Sequence, residues 1–265
     1  MHRIPAGEFI MGSTPEEIEK AVALDKDGAL FALLHESPQF RGYGAEFYLG
    51  AFAVTNEQFA RFLTDTKPSE NELDHWVSTL YRIERPVRTG MPFRVSPGFE
   101  RHPAAHVSWY GAAAYCQWAS LRLPTEIEWE RAARGQDGRI FPWGNEWQSD
   151  ALSWWSSHTD EGNTAPVDGF PKGRSPYGIY QMAGNVEEWC ADWYRHDVYQ
   201  LYAAGDLTPP KSGRGHVVRG GNCMYRERLG FRCAMRRSSA SAFVNILFTG
   251  IRCACDVAMV LKPNR

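Results

Sequence analysis

Apolar positions recur with a helical period in the first half of the chain and lose that period in the second. Thr14-Pro15-Glu16-Glu17 puts a hydroxyl three residues ahead of a carboxylate, with proline at the first helical position. This capping box predicts a helix running to residue 24. Thr55-Asn56-Glu57-Gln58 repeats the arrangement, and Phe59, Phe62 and Leu63 behind it share a face. Thr125-Glu126-Ile127-Glu128 follows Pro124 and predicts a helix to Arg134, with Gly135 as its stop. A further helix is predicted over 109–120, although Gly111 breaks its pattern. From Phe141 onward turn signals dominate: Pro142-Trp143-Gly144-Asn145, Asp160-Glu161-Gly162-Asn163, Pro171-Lys172-Gly173 and Pro209-Pro210-Lys211-Ser212-Gly213.

Short strands are expected at 217–219, 231–235 and 251–256. The last two carry a near-repeat, Gly230-Phe231-Arg232-Cys233-Ala234 and Gly250-Ile251-Arg252-Cys253-Ala254. Strand alternation puts Phe231, Cys233 and Met235 on one side and Arg232, Ala234 and Arg236 on the other. In the second copy Ile251, Cys253 and Cys255 form the apolar face. The two copies are expected to pair antiparallel and hold 235–249 between them as an excursion. Cys233 and Cys253 would then lie close, either as a disulfide or as two packed thiols. No long linker divides the chain, so one α+β domain over 1–265 is expected, helical early and irregular late.

Composition adds an aromatic surplus, with 10 Trp, 11 Tyr and 14 Phe among 265 residues, which fits a loop-rich fold held by aromatic clusters. A net charge of −2 gives no general attraction to nucleic acid or anionic membrane. Arg226, Arg228, Arg232, Arg236, Arg237 and Arg252 nevertheless crowd the C-terminal region, as a basic patch or as a solvated face. No run of about 18 apolar residues is present, so no membrane span is expected. The start resembles no secretory signal, and location stays open. Six cysteines without a CxxC pair argue against a disulfide scaffold or a zinc ribbon.

Motifs in order along the chain carry a resemblance. They are Ile4-Pro-Ala-Gly-Glu-Phe-Ile-Met-Gly-Ser13, Phe52-Ala-Val-Thr-Asn-Glu-Gln-Phe59, His106-Val-Ser-Trp-Tyr-Gly-Ala-Ala-Ala-Tyr-Cys116 and the 121–135 segment. Phe141-Pro-Trp-Gly-Asn145, Gly178-Ile-Tyr-Gln-Met-Ala-Gly-Asn-Val-Glu-Glu-Trp189, Val218-Arg-Gly-Gly221 and Gly250-Ile-Arg-Cys-Ala254 complete the set. The chain resembles the formylglycine-generating enzyme (sulfatase-modifying factor) family, which implies a C-type-lectin-like fold with little regular secondary structure. Enzymes of that family use a C-x4-C pair after Arg-Gly-Gly to hold copper(I) and oxidise a substrate cysteine, chemistry that needs two soft thiolates. Here Arg219-Gly220-Gly221 is followed by Cys223 with Arg228 five positions on, or, counted forward from the glycines, by Tyr225 and Gly230. Neither register restores the pair. The His-x3-His-x-Glu motif of the sulfoxide-forming iron relatives is also missing.

A third branch of the fold fits the pattern. The chain resembles the variable proteins of diversity-generating retroelements, whose hypervariable positions begin after Arg-Gly-Gly and end before the closing strand. The resemblance implies a framework over 1–221 and a ligand-binding region over 222–254 that takes a macromolecular ligand and needs no cofactor. Its candidate contacts are Asn222, Cys223, Tyr225, Arg226, Arg228, Ser238, Ser239, Ser241, Phe243, Asn245, Leu247 and Phe248. Aromatic rings supply rigid area, arginines directed bonds, and serines and asparagines adaptability. Residues 243–248 serve either as exposed contact or as loop anchor, and Cys223 is either a reactive thiol or a buried one. Gln181, Gly184, Val186 and Glu188 match a family loop that holds a structural calcium ion, and the other reading of that loop is a tight turn. Trp143, Trp147, Trp154 and Trp155 are expected to pack in the core, since no sugar-binding signature accompanies them. The alternative function is a copper oxidase acting on protein cysteine with rearranged thiols.

Overall fold

Side-chain caps start the early helices where the sequence places them. The computed structural model describes residues 1–24, 34–88, 90–157, 164–239 and 247–260. Helix α1 (Pro15–Leu24) opens on the reciprocal Thr14–Glu17 pair, and α2 (Asn56–Thr66) on the Thr55–Gln58 box. α3 (Glu70–Trp76) begins at a Ser69–Glu72 box that the sequence analysis overlooked. α4 (Trp109–Trp118) is capped by Ser108, and α5 (Glu126–Arg134) by the Thr125–Glu128 box. α6 (Val198–Ala203) and α7 (Val257–Val260) follow later.

Three short strands, β1 (His2–Ile4), β4 (Phe47–Leu49) and β11 (Ala254–Asp256), form an antiparallel sheet with β4 in the middle. The two ends of the described chain therefore meet on one strand. β2 (Gly7–Met11) pairs with β3 (Phe40–Gly44), and β5 (Ile83–Glu84) with β6 (Arg94–Val95). The remaining sheet has the order β10 (Thr249–Gly250), β7 (Glu187–Trp193), β8 (His216–Arg219) and β9 (Arg236–Ser239). β10 runs parallel to β7, and the other pairings are antiparallel. An apolar cluster under α2 and α4 includes Phe59, Phe62, Tyr115, Trp189 and Ile251, and a second holds Trp129, Met182, Val217 and Cys233.

The near-repeat is not a pair of paired strands. Arg228–Phe231 forms a 3-10 turn, β9 starts only at Arg236, and β11 only at Ala254. The first copy thus lies in no strand, and the second runs from Gly250 of β10, paired with β7, to Ala254 of β11, paired with β4, so the copies never pair with each other. This also removes the Cys233–Cys253 bridge. Cys233 packs with Trp129 and Val217, whereas the Cys253 sulfur lies 3.5 Å from that of Cys116. What the copies share is an inward arginine. Arg232 grips Glu36 through two bonds of 2.6 and 3.0 Å, and Arg252 grips Glu188 through two of 2.7 and 2.8 Å. Alternation separates Arg232 and Arg236 from Phe231 and Cys233, yet both sets are buried, because paired guanidiniums can fill positions that unpaired charge cannot. Half of the basic crowd, Arg232, Arg236 and Arg252, is thus neither patch nor solvated face.

The densest of these anchors lies between α5 and the β8–β9 pair. Arg236 donates to both Glu126 oxygens at 2.7 and 2.8 Å, and Arg219 pairs with Glu130, all four side chains being fully buried. Arg219 also donates to the carbonyls of Cys233, Ala234 and Met235 at 2.8 to 3.0 Å, which fixes the approach to β9. Burial opposes ionisation of Glu126, but the Arg236 and Arg219 charges outweigh it and hold its pKa below the usual range. Asp192 beside it has one oxygen bonded to the Glu126 N–H and the other without a partner. Burial, and then the Glu126 charge, raise its pKa from 3.8 to about 7.

Two outcomes follow from these contacts. A raised carboxyl pKa favours the fold while the group is protonated. Asp192 therefore contributes fully below 3.8, and its contribution is lost as the pH rises through about 7. The urea midpoint of the native chain, measured relative to that of Asp192→Asn, should fall between those limits; parallel profiles would contradict the assignment. Separately, diamide oxidation followed by peptide mapping should yield a Cys116–Cys253 linkage and no linkage involving Cys233.

Candidate functional site

The site grows from the end of β8. Gly220 and Gly221 have φ of 93° and 68°, a left-handed conformation that turns the chain out of the sheet. A side chain at Gly221 would also meet the Gly230 carbonyl at 2.7 Å. The loop beyond is held from below. Asn222 receives the Met224 N–H and donates to Glu187 at 3.3 Å, while the Cys223 N–H donates to the Asn185 carbonyl at 3.0 Å. The Tyr225 hydroxyl donates to the other Glu187 oxygen at 2.7 Å, and Arg237 approaches the same oxygen at 3.2 Å. Burial raises the Glu187 pKa, against the opposing pull of Arg237 and Asn222. Glu187, on β7, is thus the post to which the loop is tied; the sequence analysis missed it, and its place beside Glu188 was the available signal.

Counting forward from the glycines puts the family's thiol pair at Tyr225 and Gly230. The two positions do meet in space. A β-carbon on Gly230 would lie 2.4 Å from the Tyr225 ring, so the phenol occupies the space beside the glycine. Cys223 is 1% exposed and sits in an apolar cluster with Ala53, Ala105, Val167, Val186 and Phe248. Burial pushes its thiol up to about 12, far from thiolate character at neutral pH. The Cys223 of this fold is a packed thiol. Among the described residues no group of three or more His, Cys, Asp or Glu is placed to hold a metal ion.

The other predicted contacts divide between surface and interior. Arg226 and Arg228 are exposed, and their guanidiniums lie 4.0 Å from the Trp155 ring and 5.5 Å from the Trp147 ring. The tryptophans therefore do more than fill the core. Trp143, Trp147 and Trp154 pack around Phe141 and Phe231, but Trp147 and Trp155 also serve as platforms for arginine. Ser238 is exposed and Ser239 half-buried on β9, opposite Val217 and His216. Leu247 is 54% exposed, whereas Phe248 is buried against His106 and Tyr81. Met224, absent from the predicted set, is 38% exposed. Ser241, Phe243 and Asn245 lie outside the described residues.

The calcium set forms a tight turn at the head of β7. Gln181 accepts from the Asn185 side chain at 2.5 Å, and its amide nitrogen donates to the Pro166 carbonyl. Gly184 donates to the Gly220 carbonyl, and the Val186 side chain packs with Cys223. Both Glu188 oxygens are taken, by Arg252 and by the Trp129 N–H at 2.7 Å. Calcium needs about six to eight oxygens, and here the anionic one already faces a buried cation. As folded, these residues do not fit a calcium ion.

The sulfatase-modifying factor enzyme 1-like domain matches residues 1–257. The chain belongs to that family. It is 34% identical to the formylglycine-generating enzyme of Mus musculus, over 96% of this chain and 74% of that one. It is 38% identical to the serine/threonine-protein kinase pkn1 of Chlamydia caviae, over 84% of this chain and 35% of the kinase. The chain thus spans about a third of the length of the kinases it matches. Treponema denticola variable protein 1 superimposes with a TM-score of 0.64 at 20% identity, covering 97% of this chain and 94% of that one. The fold is α+β and C-type-lectin-like, with modest regular secondary structure.

The Arg252–Glu188 pair ties the family's closing motif to this site, and its removal has a signature. Arg252→Met strands a buried carboxylate and should cost about 3–5 kcal/mol of stability. Adding Glu188→Leu should recover most of that loss, read as urea midpoints; a double variant as weak as the single would refute the pairing.

Proposed function

We propose that this family member is a non-catalytic ligand-binding protein, with 1–221 as framework and 222–254 as the region that meets a macromolecular ligand. The observation that carries the reading is the Tyr225 ring packed on Gly230, which leaves no thiol at either position. The buried state of Cys223 supports it, because a copper(I) site needs accessible thiolates.

The division of labour within the region supports it further. Phe231, Arg232, Cys233, Ala234, Arg236 and Ile251 are buried and anchor the backbone. Arg226, Glu227, Arg228, Ser238 and Leu247 are exposed, so their exchange would leave the anchors untouched. Such a surface suits the use made of the fold by variable proteins, and its arginine–tryptophan stacks are rigid contact area of the kind found at protein interfaces. The ligand in this reading is a protein, since the net charge of −2 offers nothing general to nucleic acid. A neighbouring reverse transcriptase gene with a near-copy of the 222–254 coding region would support diversification.

Copper chemistry is the decisive test. Copper(I) titrated into the reduced protein against a chromogenic chelator should remain with the chelator, and no oxygen should be consumed with a cysteine-containing sulfatase peptide. Tyr225→Cys/Gly230→Cys restores the thiol pair and should gain copper(I) retention. Tight, Cys223-dependent copper(I) binding with oxygen consumption by the native chain would overturn the proposal.

A further inference from the structure

A cavity of about 650 Å³ opens between α1, the end of α5 and the 137–147 loop, and meets the 222–254 region at Arg228 and Leu229. Its volume lies within the range of small-molecule sites. One wall is apolar, built from Ile140, Phe141, Trp147 and Leu229. The other carries three arginines, and their hydrogen bonds do not close. Arg232 spends both terminal nitrogens on Glu36, and its Nε is buried without a partner. Arg134 donates from Nη1 to the Gly12 carbonyl at 2.7 Å. Its Nε is 3.5 Å from Glu130 but makes no hydrogen bond. Both Nε atoms are sealed from solvent, so neither is a donor that an occupant reaches, and these two arginines lend the wall positive charge. Arg228, stacked on Trp147, makes no ion pair among the described residues.

The carboxylates on the wall limit the charge of an occupant. Glu17 receives the Thr14 N–H and the Gln39 amide, and Asp137 is held by Arg139 through two bonds. Glu146 is exposed and is left over, as is Lys20 at the rim. The net positive excess is therefore small, which favours one negative charge over the two of a phosphate ester.

We propose that this cavity binds a small monocarboxylate with an aromatic or aliphatic body. The carboxylate would lie at the exposed Arg228 guanidinium, with Arg134 and Arg232 adding positive charge behind it, and the body against Trp147 and Phe141. The cavity shares Arg228 and Trp147 with the proposed macromolecular interface, but its occupant does not rest on that reading.

Phenylacetate, 3-phenylpropionate and 4-phenylbutyrate, each beside its primary amide, are the probes, followed by calorimetry and tryptophan fluorescence on the full chain. At least one acid should bind saturably, and its amide about tenfold more weakly, the effect of one charge-assisted hydrogen bond. Arg228→Ala, an exposed position, should weaken the acid by about the same factor and leave the amide unchanged, with an unaltered urea midpoint. Absence of saturable binding by all three acids, equal binding of acid and amide, or indifference to Arg228→Ala would each overturn the proposal.

Discussion

The buried ion pairs between α5 and the β8–β9 pair hold the rest of the molecule in register. Glu126 and Glu130 stand one turn apart on a short helix and receive Arg236 and Arg219 from neighbouring strands. Each guanidinium also donates to carbonyls outside the strands and α-helices, at Cys233 to Met235 and at His35 and Arg195. In a fold with strands of two to seven residues, these bonds do what long ladders do elsewhere. A buried pair contributes little net stability, but breaking one leaves an uncompensated charge, and this makes the arrangement specific.

That rigidity allows the 222–239 segment to carry exposed side chains without losing its path. Its backbone is held by Glu187 beneath Tyr225 and Asn222, by Arg219 under Cys233 to Met235, and by Arg232 on Glu36. The space between Tyr225 and Gly230 is where the family's chemistry would need two sulfurs. Here it is part of the packing. The same anchors close off Glu188, so the loop that would bind calcium is held by protein charge instead.

Much of the helical half was legible, because a capping box is a local device: the hydroxyl and the carboxylate that complete it are three residues apart. α3 carried the same signal at Ser69 and Glu72, and only its shortness hid it. Tyr225, Arg226 and Arg228 stood out as candidate contacts through their position after Arg-Gly-Gly. Glu187 and the two tryptophan platforms were not, because their partners lie 38, 71 and 81 positions away. Nor could the near-repeat be read correctly, since alternation reports burial only where one face of a strand meets water.

The amino-acid sequence by itself determined the family, the capped starts of α1, α2 and α5 and the absence of a C-x4-C pair, because each of these is written in neighbouring residues. The tertiary structure decided which arginines are buried anchors and which are exposed, that Cys253 meets Cys116 and not Cys233, and that Cys223 is sealed in. The physical reason is the same throughout. The state of a charge or a thiol depends on how deeply it is buried and on what faces it, and in this fold what faces it comes from distant parts of the chain.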